Sequence, residues 1–444
     1  MRIEIPKKAQ FIINTIMAAG FEAYAVGGCV RDSLLGRAPQ DWDITTSATP
    51  SQVKSLFDHT IDTGIQHGTV TVMLDREGFE VTTYRIDGRY EDNRHPQEVT
   101  FTPSLEEDLK RRDFTVNAMA YNEESGLVDL FGGLEDMQKK LIRCVGNAEE
   151  RFGEDALRML RAIRFSAQLG YSIEEQTRAA IRKLAGSLSQ ISAERIQMEL
   201  VKLLVSPHPD YLRDAWELGV TRVILPEFDK MMETPQNHPH HQYNVGEHTL
   251  HALLEVEADK ELRLTMLFHD IGKPASLVTD EKGISHFYGH PAVSEEMTSK
   301  ILRRLKFDND TIHKVCHLVK YHDYGNTVTP DMRVVRRAVN KIGEEAFPKF
   351  LQVKRADVLA QSMYLREEKL QSLKEWGNFY EEIMSHRQCT SLKNLAVTGT
   401  DLIAAGRKPG RELGVLLNAL LEWVLEHPED NQKELLLEKA KELS

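Results

Sequence analysis

The segment from residue 23 to residue 46 constrains the fold most, because it joins two short apolar runs through paired glycines and paired carboxylates. The first run ends at Gly27 and Gly28, a short helical pattern follows, and Asp41 and Asp43 open the second run. Glycine lets backbone N–H groups approach a phosphate, since no Cβ stands in the way. On a strand, Asp41 and Asp43 would project from the same face, because side chains alternate with period two.

Two carboxylates that project together suit a divalent cation. Mg²⁺ favours hard oxygen ligands and is usually held by one or two carboxylates plus substrate phosphates. Each motif alone has a plainer interpretation, the glycines as a turn and the Asp-x-Asp as a solvated strand end. Their order and closeness favour a nucleoside-triphosphate site with metal-assisted phosphoryl chemistry. Glu80, on a predicted return strand, is either a third carboxylate of this site or an exposed strand residue.

Length and composition limit the kinds of protein that this chain can be. A chain of 444 residues predicts two to four domains. A formal net charge of −12 argues against a broad, non-specific nucleic-acid binder, but it allows a local basic groove. The sequence contains neither an apolar run of transmembrane length nor a signal-peptide pattern, so we expect no membrane segment. The chain has four scattered cysteines and no CxxC pair, which predicts reduced thiols in a cytoplasmic protein. The four are Cys29, Cys144, Cys316 and Cys389.

Hydrophobic patterning predicts an α+β chain. Residues 5–19 and 104–121 have helical spacing, residues 141–145 are expected to close a mixed sheet, and helical patterns dominate from about residue 148 onward. We therefore expect four domains, which are a head of mixed sheet and helices at 1–146, a helical neck at 147–225, a helical domain at 226–370 and a helical tail at 371–444.

The string GGCVRDSLLGR at 27–37, followed by DWDITT at 41–46, resembles the signature of class II tRNA nucleotidyltransferases and bacterial poly(A) polymerases. The resemblance covers residues 1 to about 225 and implies a nucleotidyltransferase head of the polymerase-β type. It implies that Asp41 and Asp43 hold Mg²⁺ and carry the catalysis. Gly28 and Arg31 would then contact the phosphates or the sugar.

Two further strings in the head match the same family. RRDFTVNAM at 111–119 resembles a motif whose second arginine, here Arg112, contacts the nucleotide. The polar segment before it contains Asp92 and Arg94, which resemble the core of a flexible loop that assists the switch from C to A addition. That segment is also compatible with a plain solvated hairpin loop.

The string EDALR at 154–158 resembles the family's EDxxR motif. Asp155, Arg158 and Arg161 recur every three residues and would share one side of a helix, a spacing that is also typical of a solvated, salt-bridged face. The resemblance implies that Arg161 and Arg164 are further nucleotide contacts, although Arg164 could instead bridge helices. The string ISAERIQMEL at 191–200 resembles the family's neck motif and predicts a structural brace.

The EDxxR residues suit the selection of bases. Cytosine and adenine both offer an exocyclic amine beside a ring-nitrogen acceptor, so Asp155 can accept from the amine while Arg158 donates to the ring nitrogen. Uracil and guanine present a carbonyl and an N–H there, and the same pair would be left unsatisfied. Asp155 and Arg158 are therefore predicted to select CTP and ATP.

A second chemical site is predicted from histidines concentrated between residues 238 and 322. The string LFHDIGKP at 267–274 resembles the HD phosphohydrolase superfamily, an all-helical metal-binding fold. The resemblance assigns 226–370 as an HD domain that holds a second divalent metal (Mg²⁺, Mn²⁺ or a transition metal). The implied ligands are His248, His269, Asp270 and Asp357. Three more histidines could bind a further metal or could equally be surface residues, namely His290, His317 and His322.

The predicted function is stepwise, template-free addition of C, C and A to tRNA 3′ ends from CTP and ATP, with release of pyrophosphate. The partners are then tRNA and the two nucleotides, with no membrane. A CC-adding or A-adding relative would share these motifs. From other classes, an HD phosphohydrolase acting on nucleotides or RNA ends, an HD fold kept only as a helical body, and a non-catalytic RNA-binding protein remain alternatives.

Overall fold

The computed structural model describes residues 2–87, 99–326 and 328–443. The chain divides into two compact units, Met1–Pro226 and Glu227–Ser444, and the finer division into four domains stays a prediction. Asp92 and Arg94 lie outside the described residues. Within the described part of the chain, we find no helix with both the length and the apolar character needed to span a bilayer.

The first unit contains one seven-stranded mixed sheet with the order β3-β4-β5-β2-β1-β8-β9. Strands β6 and β7 form a separate antiparallel pair, and β10 and β11 form a parallel pair. The strands of this unit are β1 (Ala23–Val26), β2 (Ile44–Thr46), β3 (Thr60–Gly64), β4 (Thr69–Leu74), β5 (Glu77–Thr83), β6 (Arg85–Asp87), β7 (Val99–Phe101), β8 (Met119–Asn122), β9 (Gly126–Asp129), β10 (Leu141–Ile142) and β11 (Ser172–Ile173).

Helices alternate with the strands of the sheet, and the later part of the chain is mainly helical. The helices of the first unit are α1 (Lys7–Ala18), α2 (Gly28–Leu34), α3 (Pro50–Leu56), α4 (Leu105–Lys110), α5 (Gly133–Lys139), α6 (Ala148–Glu154), α7 (Leu157–Leu169), α8 (Glu175–Leu184), α9 (Ala193–Leu204), α10 (Leu212–Glu217) and α11 (Thr221–Ile224). The prediction of an α+β chain is confirmed, since a mixed sheet comes first and the rest is largely helical.

The parallel pairing of β2 with β5 positions the predicted carboxylates. Ile44 pairs with Val81, so Asp43 and Glu80, which come one residue earlier in each segment, lie side by side. Asp41 and Asp43 precede β2 and do not lie within it, which corrects the expectation that both occupy a strand. The extended path nevertheless begins at Asp43, because its carbonyl accepts a hydrogen bond from the backbone N–H of Val26 at 3.0 Å.

Two local predictions for the first unit were wrong. The expected helix at 104–121 ends at Lys110, and Met119–Asn122 is a fully buried strand paired with β1. Burial in the centre of the sheet overrides helix propensity there. The segment at 141–145 does not close the main sheet, because Leu141–Ile142 pairs with Ser172–Ile173.

The second unit is helical with one hairpin, β12 (Leu277–Thr279) and β13 (Ser285–Phe287). One core cluster centres on Trp376, whose ring packs against Phe347 and Phe350, and another gathers leucines of the C-terminal helices around Leu420. Its helices are α12 (Pro226–Glu233), α13 (Val245–Leu254), α14 (Lys260–Phe268), α15 (Lys273–Ser276), α16 (His290–Arg304), α17 (Asn309–Tyr321), α18 (Met332–Ile342), α19 (Phe347–Ala360), α20 (Arg366–Ser385), α21 (Gly399–Ala404), α22 (Arg411–Glu426) and α23 (Lys433–Glu442).

Candidate functional site

The glycine turn between β1 and α2 brings a guanidinium against the backbone. Gly27 has φ = +81°, a conformation that glycine adopts without strain. A Cβ at this position would lie 3.1 Å from Nη1 of Arg112, so the close approach also requires glycine. Gly28 differs, because a Cβ there would make only an ordinary contact, at 3.8 Å from Nη2 of Arg31.

Arg31 is buried and already paired within the protein. Its Nη1 donates to Oδ1 of Asn117 at 2.6 Å, and its Nε and Nη2 form a fork on the carboxylate of Asp32. Its guanidinium also lies 5.2 Å from the ring centroid of Phe165 on α7. These contacts connect the glycine turn to the helical part of the first unit. The predicted phosphate contact of Arg31 stays a prediction.

Three carboxylates gather beside the turn, and Arg112 partly balances them. The side chains of Asp41, Asp43 and Glu80 are exposed. Partial desolvation raises the pKa of Asp43, and the charges of Glu80 and Asp41 raise it further, whereas Arg112 lowers it. Excess negative charge with oxygen donors is the environment that a divalent cation relieves.

Arg112 is held from behind by a fully buried carboxylate. Asp108 accepts from Nη2 of Arg112 at 3.4 Å, from Arg111 at 2.7 Å and from the hydroxyl of Thr45 at 3.0 Å. Among the described residues, no acceptor reaches the buried Nε of Arg112. The guanidinium therefore keeps one unsatisfied donor, and this atom is buried.

Asp155 and Arg158 lie at the junction of α6 and α7, but they have separate partners. Asp155 precedes α7, and its Oδ1 accepts from the backbone N–H of Leu157 at 3.0 Å. Its Oδ2 accepts from Nη2 of Arg195 on α9 at 2.6 Å. Arg158 donates to Glu154 at 2.6 Å and to the carbonyl of Arg111 at 3.0 Å. The expectation that Asp155 shares a helix face is wrong, because α7 begins only at Leu157.

Arg161 and Arg164 on α7 are both paired with carboxylates of the protein, and Arg161 is half-buried whereas Arg164 is buried. Arg161 donates through Nε and Nη2 to Asp113 at 2.8 and 2.6 Å. Burial alone would raise the pKa of Asp113, but Arg161 holds it down at about 2. Arg164 donates to Glu199 of α9 at 2.5 Å, and its guanidinium lies 3.7 Å from the ring centroid of Phe165. The residues of 191–200 thus supply partners for α7 through Arg195 and Glu199.

In the second unit, six side chains converge in two adjoining groups. The ligand atoms of each group lie within 4.8 Å of one another, and the groups are His248, His269 and Asp357, and Asp270, His290 and His322. Nε2 of His248 lies 2.9 Å from Asp357 and 3.4 Å from Nε2 of His269. Nε2 of His290 lies 3.2 Å from Nε2 of His322.

The outer nitrogen of each ring is fixed by the backbone. Three rings donate a hydrogen bond from Nδ1 to a backbone carbonyl, at 2.7 to 2.9 Å. The pairs are His269 with Met266, His290 with Phe287 and His322 with Val319. His248 makes the same kind of contact with Ala360 at 3.4 Å. With Nδ1 occupied as a donor, the Nε2 lone pairs face the centre of the cluster, which is the arrangement that metal-binding histidines require.

Asp270 lies between the two groups. Its Oδ2 is 3.3 Å from Nε2 of His269, and its Oδ1 is 3.3 Å from Nε2 of His290. Burial would raise the pKa of Asp270, but His269 and Lys273 hold it well below its ordinary value. Burial lowers the pKa of His322 to about 3, so that ring stays neutral and able to coordinate. The nitrogen and oxygen donors of the two groups would suit divalent cations, and the oxygens of Asp270 face both groups.

Sequence reasoning left part of this cluster open. His290 and His322 belong to it, whereas His317 does not, because its Nε2 bonds the carbonyl of Ile342 at 2.6 Å. Lys273, which sequence reasoning did not single out, approaches Asp270 at 2.7 Å. The sequence contained a signal for this contact, because Lys273 follows Asp270 by three residues and side chains at that spacing can meet within one helical turn.

Three known protein families match successive parts of the chain. Residues 23–143 match the poly A polymerase head domain, and residues 170–232 match the probable RNA and SrmB-binding site of polymerase A. Residues 276–440 match tRNA nucleotidyltransferase domain 2, a putative domain.

Curated relatives align with part or nearly all of the chain. A CCA-adding enzyme of Lactiplantibacillus plantarum is 55% identical over 201 residues, which cover 45% of this chain and 49% of that enzyme, so the chain matches about half its length. A CCA-adding enzyme of Lactobacillus helveticus is 36% identical over 97% of this chain and 95% of the relative. One from Limosilactobacillus reuteri is 37% identical over 98% and 96%.

Solved structures show the same fold. The Bacillus stearothermophilus CCA-adding enzyme in complex with CTP is 30% identical, with a TM-score of 0.75, and covers 98% of this chain and 96% of its own. The Thermotoga maritima CCA-adding enzyme complexed with tRNA is 20% identical with a TM-score of 0.63 over both full chains, which shows the fold alone. With the carboxylate cluster in the head and relatives aligned over nearly their whole length, the chain belongs to the CCA-adding enzymes, the class II tRNA nucleotidyltransferases.

Proposed function

We propose that this protein adds C, C and A stepwise to tRNA 3′ ends from CTP and ATP, without a nucleic-acid template and with release of pyrophosphate. The observation that carries the proposal is the gathering of Asp41, Asp43 and Glu80 beside the guanidinium of Arg112. The full-length relatives are named CCA-adding enzymes, and one structural relative was solved with CTP.

Enzymes of this family use divalent metals, generally Mg²⁺. The donor set fits, because the three carboxylates offer only oxygen ligands, and their mutual repulsion raises the pKa of Asp43. Asp41 and Asp43 would hold the ion. When bound, Mg²⁺ supplies charge neutralisation on the triphosphate and lowers the pKa of the attacking hydroxyl.

The protein's own residues bind and orient the reactants. The primer 3′-hydroxyl attacks the α-phosphate in line, a new O–P bond forms, the bond to the β-phosphate oxygen breaks, and pyrophosphate leaves. The positive charge of Arg112 lowers the pKa of Asp43, so the guanidinium lies close enough to the carboxylates to attract the triphosphate while Asp108 holds it. Gly27 keeps that guanidinium close to the turn, because a side chain there would displace it.

Base selection is assigned to Asp155 and Arg158. The two oxygens of Asp155 each use one lone pair, on Leu157 and on Arg195, so each keeps a second for the exocyclic amine of cytosine or adenine. Arg158 supplies a guanidinium, whose N–H groups are the donors that a ring nitrogen accepts, and it is held by Arg151, Glu154 and Arg111. The ion pair with Arg195 fixes the carboxylate before a base arrives, which limits the ordering that binding requires.

The test uses three tRNA transcripts that end at the discriminator base, at C and at CC, each with Mg²⁺ and CTP, ATP or both. Extension of all three to CCA is expected. Arrest at CC would instead assign a CC-adding enzyme, and extension of only the CC-ended transcript an A-adding one. Asp41→Asn and Asp43→Asn should abolish incorporation, while Glu77→Gln, at the exposed start of β5, should retain it.

A second function is favoured by the histidine–aspartate cluster. We propose that residues 226–370 form an HD domain that hydrolyses phosphate esters. His248, His269 and Asp357 would hold one divalent cation, His290 and His322 another, with Asp270 between them. Bound cations would supply Lewis-acid activation. Water then forms a bond to phosphorus, the ester P–O bond breaks, and the leaving alkoxide takes a proton.

Separate variants distinguish the two functions. His269→Ala should abolish metal-dependent hydrolysis of p-nitrophenyl phosphate and leave CCA addition unchanged. Asp43→Asn should do the reverse. Absence of hydrolysis from the wild-type protein with Mg²⁺, Mn²⁺, Co²⁺ and Ni²⁺ would reject the hydrolase and leave the cluster a structural metal site. The cytoplasmic location expected from the sequence stays a prediction.

A further inference from the structure

Asp108 is an ionised carboxylate inside the first unit. It is 0% exposed and lies on α4, three residues before Arg111. Burial raises the pKa of Asp108, but the charges of Arg111 and Arg112 outweigh it and hold the pKa below its ordinary value. A charge enclosed in this way destabilises a fold unless close partners balance it, so its contacts define what it does. Those contacts reach three parts of the nucleotide site.

The two oxygens of Asp108 bind different groups. Oδ1 accepts from Nε and Nη2 of Arg111, at 2.9 and 2.7 Å. Oδ2 accepts from the hydroxyl of Thr45 at 3.0 Å and from Nη2 of Arg112 at 3.4 Å. Both oxygens therefore act as acceptors at once, which a carboxylate does and a carboxamide with a single oxygen cannot.

Thr45 connects this carboxylate to the strand that follows Asp43. It is fully buried on β2. Asp43 lies two residues earlier, where the extended path begins, and side chains two residues apart in an extended chain project from the same face. Oδ2 of Asp108 thus joins the guanidinium of Arg112 to the side of the sheet that bears the candidate metal-binding carboxylates.

Arg111 connects the same carboxylate to base selection. While its guanidinium binds Asp108, its carbonyl oxygen accepts a hydrogen bond from Nη2 of Arg158 at 3.0 Å. Arg158 is the predicted donor to the ring nitrogen of the incoming base. Asp108 is therefore placed where the support of base selection, the guanidinium that attracts the triphosphate and the strand beside the carboxylates meet.

The charges around Arg112 explain why it needs an anchor. Asp41, Asp43 and Glu80 lie together beside it, and their combined negative charge attracts the guanidinium. Asp108 attracts it towards the interior, because this carboxylate is buried whereas the other three are exposed. Loss of the inner charge would let Arg112 pair with the outer carboxylates, and the nucleotide would then have to compete with them for the guanidinium.

We propose that Asp108 is a positioning residue for nucleotide addition, which holds Arg112 back from the exposed carboxylates and so keeps its guanidinium available for the triphosphate. The inference rests on the proposed nucleotidyltransferase function and assigns a role to a residue that the motifs did not single out. Asp108 acts through Arg112 and is itself too deeply buried to touch the nucleotide.

The test measures addition of one C to a tRNA transcript that ends at C, with CTP as the sole nucleotide. Asp108→Asn keeps the shape of the side chain but removes its charge and one acceptor oxygen. The KM for CTP should rise about tenfold to a hundredfold, as for loss of a hydrogen bond to a charged group, while kcat stays within about twofold. Glu106→Gln, at an exposed position of the same helix, should leave both constants unchanged.

A double variant separates positioning from a loss of structure. In the Arg112→Ala background, the group that Asp108 positions is absent, so Asp108→Asn should change kcat/KM less than about twofold. A purely structural effect would lower kcat/KM by the same factor in both backgrounds, and that result would overturn the inference. Thermal melting of each variant ensures that the assay temperature lies below unfolding.

Thr45 provides a milder variant, which decides the question if Asp108→Asn does not fold. Thr45→Val removes a hydrogen bond to Oδ2 of Asp108 but no charge, so the carboxylate is held less firmly and the KM for CTP should rise about threefold. Thr45→Ser retains the hydroxyl and should restore the wild-type KM.

Two further results would overturn the inference in different ways. Incorporation by the wild type with an unchanged KM in Asp108→Asn and Thr45→Val, or with a lower kcat at unchanged KM, rejects the role of Asp108 and leaves the proposed function intact. Absence of incorporation by the folded wild-type protein rejects the proposed function and the inference together.

Discussion

Asp155 and Arg195 form an ion pair at 2.6 Å, although 40 residues separate them in the sequence. Their side chains are 16% and 20% exposed, so water screens the pair only in part. Asp155 is the proposed acceptor of the base amine, and Arg195 belongs to a different helix. The orientation of the base-selecting carboxylate therefore depends on how α9 packs against the start of α7.

Arg195→Ala should impair base selection more than phosphoryl transfer. Without the guanidinium, Asp155 loses its fixed orientation, so the KM values for CTP and ATP should rise about tenfold to a hundredfold, equivalent to about 1.4–2.8 kcal/mol. Misincorporation of UTP should rise as well. Steady-state kinetics on a tRNA transcript measure both effects. Glu194→Ala, at an exposed position on the same helix, is the control, and a variant that lost kcat at unchanged KM would contradict the assignment.

Gly27→Ala should reduce CTP incorporation by an order of magnitude or more. Its Cβ would lie 3.1 Å from Nη1 of Arg112 and would push that guanidinium away from the turn. Gly20→Ala is the matched control, because Gly20 has a similar φ of +87° but no atom within 4 Å of the added Cβ. Both variants should lose about 1 kcal/mol of stability through backbone strain. Equal activity of the two would show that the approach of Arg112 is unimportant.

Asp43→Asn should stabilise the metal-free protein at neutral pH. The raised pKa of Asp43 means that the folded protein holds this proton to a higher pH than the unfolded chain does. Stability therefore falls as pH rises from 3.8 through the folded pKa, and the full penalty of the ionised carboxylate persists above it. In EDTA, the Tm of Asp43→Asn should exceed that of wild type at pH 7, and the difference should disappear below pH 3.8. Asp58→Asn, at an exposed position, should show no such gain.

Asp113→Asn should have the opposite effect. Arg161 lowers the pKa of buried Asp113 to about 2, so its contribution is complete above 3.8 and is lost as pH falls towards 2. The shift corresponds to about 2 kcal/mol at pH 7. Urea unfolding should show an earlier first transition for the variant at pH 7, and the two proteins should converge near pH 2. An unchanged difference across that range would mean that the carboxylate charge is not what stabilises this contact.

Metal content should follow the two groups of the histidine–aspartate cluster. Mass spectrometry of the purified protein should find two divalent ions per chain, and His322→Ala should retain one, because His248, His269 and Asp357 stay complete. Asp270→Ala should lose both, since its oxygens face both groups. His317→Ala should keep two. One ion in wild type, unaffected by His322→Ala, would restrict the centre to the first group.

Motifs predicted the head better than hydrophobic patterns did. The segment at 27–46 indicated the glycine turn and the two carboxylates, because glycine and aspartate have few alternatives at such spacing. The helix expected at 104–121 failed beyond Lys110, since Met119–Asn122 pairs with β1 and is buried. That outcome depends on which strand lies next to it in the sheet, and local periodicity does not contain this information.

Long-range partners were the other omission. Residues 191–200 were interpreted as a brace, but their partners on α7 and before it, Arg164 and Asp155, required the structure. His290 and His322 were left open for the same reason, because 32 residues separate them and only the packing of α16 against α17 brings their rings together. Spacing within one helical turn can be read from sequence, whereas contacts between elements cannot.

The side-by-side placement of Asp43 and Glu80 has an evolutionary consequence. The connection from β2 to β5 contains β3 and β4, and β4 pairs with β5 so that Thr71 lies opposite Glu80. Insertions or deletions among homologues should therefore be tolerated in the turns of this connection and not within β4. A shift of one residue in the β2–β5 register would instead turn Glu80 to the other face of the sheet. Selection should therefore conserve the β2–β5 register, whereas the lengths of the connecting turns can vary.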